Sequence, residues 1–265
     1  MGRFKAVVFD WAGTTIDCGS FAPMGVFVEA FAKFGVTVTI QEARGPMGMP
    51  KWDHIDAMLK APRIAAAWEK VLGHVPTGAD VDAVYKVFVP MNEEVVANYA
   101  ILIPGAREAI ETLRQRGLKI GSTTGYTRSI MEHVLPVAAR QGYEPDNLVC
   151  ADDLVEGRPG PLGMYKCFVD LGVYPPDAVI KVDDTVPGIA EGVAAGCLTV
   201  GVCLTGNEAG LTADELAAAS EETKAEIRDR VGAKLKAAGA DFVVDSVADI
   251  PELVERLEAG RAAAE

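Results

Sequence analysis

The chain has 265 residues, 49% of them hydrophobic and 24% charged, enough to bury a full core in one large domain that carries an insertion. Its formal charge of −13 argues against nucleic acid or an anionic membrane surface as a partner. No apolar run reaches the roughly 18 residues that span a bilayer, and the N-terminus passes straight into a strand pattern with no signal peptide. Cys18, Cys150, Cys167, Cys197 and Cys203 show no CxxC spacing and read as reduced thiols, so a cytoplasmic protein is expected. His54, His74 and His133 are scattered, which argues against a histidine-rich metal site.

The first predicted element is a short apolar run at 5–10, ending in the carboxylate of Asp10, the pattern of a buried parallel strand. Residues 20–99 then read as consecutive helices near 22–34, 40–46, 51–60, 63–72 and 80–98, with no strand among them. Beyond them, helical patterns near 105–116, 127–141, 161–171, 187–195 and 246–258 alternate with apolar runs at 118–122, 148–151, 179–182 and 198–202. Residues 241–244 are a further strand candidate, and 212–238 read as solvated helix. This alternation predicts an α/β fold, a doubly wound parallel sheet covered on both faces. The core is expected over 1–19 and 100–265, with 20–99 inserted as an all-helical cap. Gly19-Ser20 and the stretch 99–105 are the expected hinges. Ligands of such sheets sit outside the carboxyl ends of the strands, where Asp10, Thr123-Thr124 and Asp183-Asp184 should gather.

A carboxylate placed like Asp10, with Gly13 and Thr14 following in a turn, can attack phosphorus in line and form an aspartyl-phosphate. Taken alone it is equally a capping aspartate of any α/β protein. Lys51 follows Pro50 and opens a helical stretch, where the helix dipole disfavours its ammonium and burial under a cap would lower its pKa further. An ordinary lysine is only about one part in a thousand neutral near pH 7.4. Nearby acids oppose the shift, so desolvation has to win. His54 shares the helix face of Lys51 and is a candidate proton relay, or a charge that depresses Lys51. Taken alone, the pair is a surface lysine and a packed histidine. Asp183-Asp184 ends another apolar strand; adjacent side chains alternate faces, so only one is expected to enter a metal site directly. An oxygen-only site of this kind suits Mg²⁺.

Five motifs in order carry a resemblance over nearly the whole chain: Asp10-Trp-Ala-Gly-Thr-Thr-Ile-Asp17, Pro46-Met-Gly-Met-Pro-Lys-Trp-Asp-His54, Ile120-Gly-Ser-Thr-Thr-Gly-Tyr-Thr127, Gly157-Arg-Pro159 and Lys181-Val-Asp-Asp-Thr185. The set resembles the haloacid dehalogenase superfamily, and this variant of it, with Lys51, resembles its phosphonoacetaldehyde hydrolase (phosphonatase) family. The resemblance implies Asp10 as nucleophile and Lys51 as the amine that condenses with an aldehyde. It implies Thr124 and the backbone N–H of Gly125 as phosphoryl donors, Arg158 as the balancing cation, and Met47, Gly48 and Tyr126 as further substrate contacts. Asp10, Asp184 and the carbonyl of Ala12 would hold Mg²⁺. Ala12 stands where related phosphatases keep an acid, which implies a leaving group that departs as an enamine. Gly188 stands where many relatives carry a second acid, leaving Asp183 to compensate. A homodimer through the cap is implied as well. Without the resemblance, Thr124 reads as a polar turn, Arg158 as a loop ion pair and Met47 as core packing.

The expected function is Mg²⁺-dependent cleavage of the carbon–phosphorus bond of a small phosphonate, phosphonoacetaldehyde, to acetaldehyde and phosphate. Two other readings stand beside it. One is a phosphatase or mutase acting on a small phosphate ester, against which Ala12 argues. The other is a non-catalytic sensor of a phosphate ligand, which any turnover would exclude.

Overall fold

The computed structural model describes residues 2–262, so Met1 and residues 263–265 of the expected core lie outside the described residues. Five strands form one parallel sheet in the order β2-β1-β3-β4-β5: β1 (Ala6–Phe9), β2 (Lys119–Ser122), β3 (Val179–Asp183), β4 (Leu198–Val202) and β5 (Phe242–Val244). Side chains alternate across β1 as a pleat requires. Val7 and Phe9 join a core with Ile110, Leu113 and Val134, while Ala6 and Val8 pack on the opposite face against Met164, Cys167 and Leu171. A strand buried on both faces has no room for a polar side, which is why β1 reads as an unbroken apolar run.

Between β1 and β2 the chain inserts α1 (Ala22–Ala32), α2 (Ile40–Arg44), α3 (Lys51–Lys60), α4 (Pro62–Leu72) and α5 (Gly78–Tyr99). These helices build a hydrophobic cluster of their own around Phe27, Phe31, Ile55, Trp68 and Phe88. Phe27 stacks on Phe88 at 4.3 Å, and Trp68 lies 5.4 Å from Phe34. The outgoing and returning chains are hydrogen-bonded to each other: Asp17 N–H donates to Ile101 O and Ile103 N–H to Thr15 O. Asp17 has φ 53° and its carboxylate accepts from the N–H groups of Phe21 and Ala22, so one side chain both turns the chain and starts α1.

The remaining helices cover the sheet: α6 (Ala106–Gln115), α7 (Arg128–Arg140), α8 (Leu162–Leu171), α9 (Val186–Ala195), α10 (Ala213–Ala218), α11 (Glu221–Ala237) and α12 (Ile250–Ala262). The strand expected at 148–151 does not form. Val149 makes a single bridge to Thr123, and the carboxylate of Asp153 takes the Cys150 N–H, turning the chain away before a ladder can extend. The single helix expected over 212–238 is two, because Ser220 caps α11 through the Thr223 N–H. No helix among the described residues is long and apolar enough to cross a membrane.

Because the inserted helices rest on one aromatic cluster, Trp68→Ala should destabilise the protein by about 3–5 kcal/mol, the cost of emptying a tight aromatic site. Urea unfolding measures this. A loss under about 1 kcal/mol would show that the cap does not depend on that cluster.

Candidate active site

The register of the sheet assembles the site. Phe9 is level with Ser122 on β2 and with Val182 on β3, so the next residues, Asp10, Thr123 and Asp183, emerge side by side at the carboxyl edge. The turn after β1 is tight: the N–H groups of Thr14, Thr15 and Ile16 all donate to Trp11 O. Gly13 has φ 92°, and a Cβ there would lie 2.3 Å from Asp184 Oδ2. Glycine is needed at this point for both conformation and room.

Asp184 is fully buried, its Oδ1 accepting from Thr14 Oγ1 at 2.9 Å and its Oδ2 from the Asn207 N–H at 2.7 Å. Asp183 accepts at Oδ1 from the N–H (3.0 Å) and Oγ1 (2.7 Å) of Thr185, and its Oδ2 lies 3.0 Å from Lys181 Nζ and 3.4 Å from Arg158 Nη1. Both neighbouring aspartates therefore lie at the cluster, the oxygens of Asp183 facing Thr185, Lys181 and Arg158. Asp183 is the last residue of β3, and its side chain folds onto the first turn of α9 instead of continuing the pleat.

Arg158 ties this edge together. It donates to Asp10 Oδ1 (2.8 Å), Glu191 Oε2 (2.9 Å) and the carbonyl and hydroxyl oxygens of Thr123. Lys181, wholly buried, donates to Thr123 Oγ1 at 2.7 Å and pairs with Asp183 and Glu191. Burial works against the Arg158 charge, but Asp183, Glu191 and Asp10 hold it firmly cationic. Burial and the charge of Asp183 push Asp10 up to about 6, with Arg158 and Lys181 pulling the other way. Burial, Asp10 and Asp183 push Asp184 well above the usual carboxylate range. Asp183 resists its own burial and stays low, because Arg158 and Lys181 favour its charge.

The three carboxylates of Asp10, Asp183 and Asp184 are buried, with one oxygen from each within 4.8 Å of the others. Arg158 and Lys181 face them together with Glu191, which leaves the cluster net negative. Oxygen ligands, mutual repulsion and missing positive charge all fit a hard divalent cation, so the cluster can hold a metal ion.

Above this edge lies the cap. Its loop approaches the core through backbone contacts that glycine permits: a Cβ on Gly48 would stand 2.2 Å from Thr185 Oγ1, and one on Gly125 2.8 Å from Met49 O. Arg44 of α2 donates to Gly19 O and Asn207 O, tying the inserted helices to the core. Lys51, first residue of α3, is thereby closed in and only 3% exposed. Its Nζ lies 4.9 Å from the Tyr126 ring centroid and 4.0 Å from Met47 Sδ, and it makes no ion pair among the described residues. Burial lowers its pKa to about 8; the charge of Asp10 opposes the shift and that of Arg158 adds to it.

One cleft is lined by Asp10, Ala12, Met47, Gly48, Lys51, Thr124, Gly125, Tyr126 and Arg158. These residues come from both the core and the cap. Thr185, which the sequence did not single out, completes the wall. His54 is not on it. Its ring stacks on Phe27 at 4.1 Å, and Nε2–H donates to Ala43 O at 2.7 Å, leaving Nδ1 buried without a partner. Burial and the nearby Lys51 hold His54 neutral, which removes the role of a charged imidazole depressing Lys51. Sequence reasoning set Thr123 at this edge without a role and missed Lys181 and Glu191. The available signal was Lys181, a cation inside an apolar strand buried on both faces, where an unpaired charge is untenable.

Residues 4–196 match the family model of the haloacid dehalogenase-like hydrolases. The phosphonoacetaldehyde hydrolase of Paraburkholderia phytofirmans is 51% identical over 259 residues, covering 98% of this chain and 97% of that protein. The phosphonoacetaldehyde hydrolase of Salmonella typhi is 47% identical over 261 residues, covering 98% and 97%. The crystal structure of a phosphonoacetaldehyde hydrolase-like protein from Oleispira antarctica superposes with a TM-score of 0.96 at 42% identity, covering 100% of this chain and 96% of that one. A hydrolase from Pseudomonas syringae, at 19% identity and a TM-score of 0.69 over 96% and 99% of the two chains, shares the fold. On this similarity across its full length, the chain belongs to the haloacid dehalogenase-like hydrolases and, among them, to the phosphonoacetaldehyde hydrolase family.

Proposed function

We propose that the protein hydrolyses phosphonoacetaldehyde to acetaldehyde and phosphate, through an imine on Lys51 and an aspartyl-phosphate on Asp10. One observation carries this reading: a buried lysine amine, without an ion-pair partner among the described residues, shares a cleft with a strand-end carboxylate, and Ala12, two residues after that carboxylate, offers no acid. The names of its relatives agree with it.

The Lys51 amine adds to the aldehyde carbon and water leaves, giving a protonated imine. Asp10 then attacks phosphorus while the carbon–phosphorus bond breaks, and the bonding pair flows into the imine to form an enamine. No proton donor is required at the departing carbon during cleavage, which suits alanine at position 12. Protonation of the enamine carbon and hydrolysis of the imine release acetaldehyde. Water attacks the aspartyl-phosphate, releases phosphate and restores Asp10. Thr124 and the Gly125 N–H, on the wall of the cleft, would donate to the phosphoryl oxygens, and Arg158 fixes the Asp10 carboxylate. His54, neutral and with a free Nδ1, suits a proton relay to the imine. Asp10, Asp184 and the Ala12 carbonyl would hold Mg²⁺, which would supply positive charge to offset the repulsion between the carboxylates and an anionic substrate.

The remaining parts of this reading concern organisation. The hinge is placed at 19–20 and 99–105, dividing 20–99 from 1–19 and 100–265. Val71, Leu72 and Val75 are exposed at the end of α4 and beyond it, which supports a homodimer through the cap. The free cysteines suit the reducing cytoplasm.

Borohydride trapping tests the covalent scheme. With phosphonoacetaldehyde and borohydride, the wild-type protein and Asp10→Asn should both gain a reduced adduct at Lys51 by mass spectrometry, although Asp10→Asn releases no phosphate. Lys51→Arg should show neither adduct nor turnover, because a guanidinium cannot form the imine. Substantial phosphate release by Lys51→Arg removes the lysine mechanism.

The pH profile tests the state of Lys51. With its pKa near 8 the amine is about one-tenth neutral at pH 7, against roughly one part in three thousand for an unperturbed lysine. Only the neutral amine adds to the aldehyde. The basic limb of kcat/KM should therefore rise with pH and level off just above pH 8. A limb still climbing with unit slope beyond pH 10 would mean that Lys51 is not desolvated.

Ala12→Asp restores an acid beside Asp10. It adds a carboxylate to a cluster that already repels anions, so kcat/KM for phosphonoacetaldehyde should fall, while weak cleavage of a small phosphate ester appears. A large gain toward phosphonoacetaldehyde would show that a missing acid limits the reaction and overturn the enamine argument.

A further inference from the structure

Lys181 and Glu191 are charged side chains for which the fold makes room. Lys181 lies in the middle of β3, level with Val8 on one neighbouring strand and Thr199 on the other, and Glu191 lies in α9; both are buried. Two helical glycines, neither at positive φ, leave the space. A Cβ on Gly192 of α9 would stand 2.7 Å from Lys181 Cγ, and one on Gly163 of α8 2.4 Å from Glu191 Oε1. Both charges meet at the buried hydroxyl of Thr123. Its Oγ1 accepts from Lys181 Nζ and Arg158 Nη2, each at 2.7 Å, and donates to Glu191 Oε2 at 2.8 Å, so its one donor and two acceptor positions are all used. Glu191 Oε2 also takes Arg158 Nε at 2.9 Å. The guanidinium is thereby gripped at Nε and Nη2, and Nη1 is left facing Asp10 at 2.8 Å, with Asp183 beyond at 3.4 Å. Buried ion pairs often add little stability over apolar residues of the same volume, so stability does not account for this arrangement.

We propose that Thr123, Lys181 and Glu191 are a positioning unit for the nucleophile, acting on Asp10 through the guanidinium of Arg158. None of the three is on the wall of the cleft, whereas Arg158 and Asp10 both are. Adjacent residues at the end of β2 divide the work: Thr124 lines the cleft, and Thr123 turns its hydroxyl to the ions behind it. In-line attack on phosphorus needs the Asp10 carboxylate in one orientation, and a misplacement near 1 Å costs about 100-fold in rate. An Arg158 free to turn would take Asp10 with it. The hydroxyl and the carboxylate behind the guanidinium remove that freedom, and Lys181 balances the charge of Glu191 so that neither is buried alone. Imine formation asks nothing of this unit, since it involves Lys51 and the aldehyde and not the orientation of Asp10.

This inference rests on the phosphoryl transfer to Asp10 proposed above. The test is steady-state turnover of phosphonoacetaldehyde with Mg²⁺ present, with the rate of borohydride-trapped adduct at Lys51 and thermal unfolding measured alongside. Thr123→Val keeps the shape and removes the hydroxyl; kcat should fall about 100-fold while KM does not rise, the signature of an interaction that acts on the transition state. Its Lys51 adduct should form at the wild-type rate. Thr123→Ser restores the hydroxyl and should return kcat to within about threefold of wild type. Gly163→Ala approaches from the far side. Alanine suits a helix better than glycine, so the fold is kept, while the added methyl displaces Glu191 and kcat should fall by about tenfold or more with the same split. Wild-type kcat in both Thr123→Val and Gly163→Ala overturns the proposal, as does a loss that excess Mg²⁺ repairs or one that slows adduct formation equally. Those outcomes leave the chemistry of Asp10 standing. Absence of phosphate release by the wild type removes both.

Discussion

The site depends on keeping one lysine amine buried without a counter-ion a short distance from a cluster of carboxylates. Left in water, Lys51 would be an ordinary ammonium; paired with an acid, it would be a more persistent one. Neither happens, because the acids have cations of their own. Arg158 and Lys181 take up Asp10, Asp183 and Glu191 in a network of short contacts. Lys51 faces the Tyr126 ring and the Met47 thioether instead. The cation network beneath the cavity is therefore what permits desolvation to win above it.

Holding these two environments together demands close contact between cap and core, which glycine provides at specific places. Gly48 lets the cap loop touch Thr185, Gly125 lets the β2 edge touch Met49, and Gly157 receives the ring of Pro50. Each of these contacts lies within a few residues of Lys51 in the cap or on the loops that hold Thr124 and Arg158 in the core. A side chain at any of them would lift the cap and admit water to the amine, returning its pKa toward that of a free lysine.

Much of this was legible in the sequence, for identifiable reasons. Strands buried on both faces appear as short apolar runs, and a parallel sheet collects their carboxyl ends, so the gathering of Asp10, Thr124 and Asp184 at one edge was readable from position, and their roles only through the resemblance. Lys51 was readable through its motif, and the direction of its perturbation through the expected burial under a cap. The run at 148–151 misled because apolar residues packed beside an edge strand look the same whether or not a ladder forms. Glu191 was invisible because it lies inside α9, and only the turn of that helix against β3 brings it to Arg158. The state of His54 was equally hidden, since it is set by Phe27 of α1 and the carbonyl of Ala43, residues distant in the chain. The entry of both Asp183 and Asp184 into one cluster depends on where β3 stops, a boundary that periodicity does not fix.

The overall charge of −13 poses a problem for any anionic substrate, and the site shows how it is met. Distant charges are screened within about 8 Å at physiological ionic strength, so local balance decides. Arg158 cannot supply the attraction by itself, because its donors are already committed to Asp10, Glu191 and Thr123. That leaves Lys51 and a cation at the carboxylate cluster. A lysine with a pKa near 8 serves both needs at neutral pH. In the proposed mechanism, an ammonium on most molecules would attract the phosphonate, and the free amine of a minority would attack the aldehyde. A fully neutral lysine would react faster once loaded but would attract its anionic substrate less. A fully charged one would bind and fail to react. The intermediate value is the compromise that a single residue with two successive tasks requires.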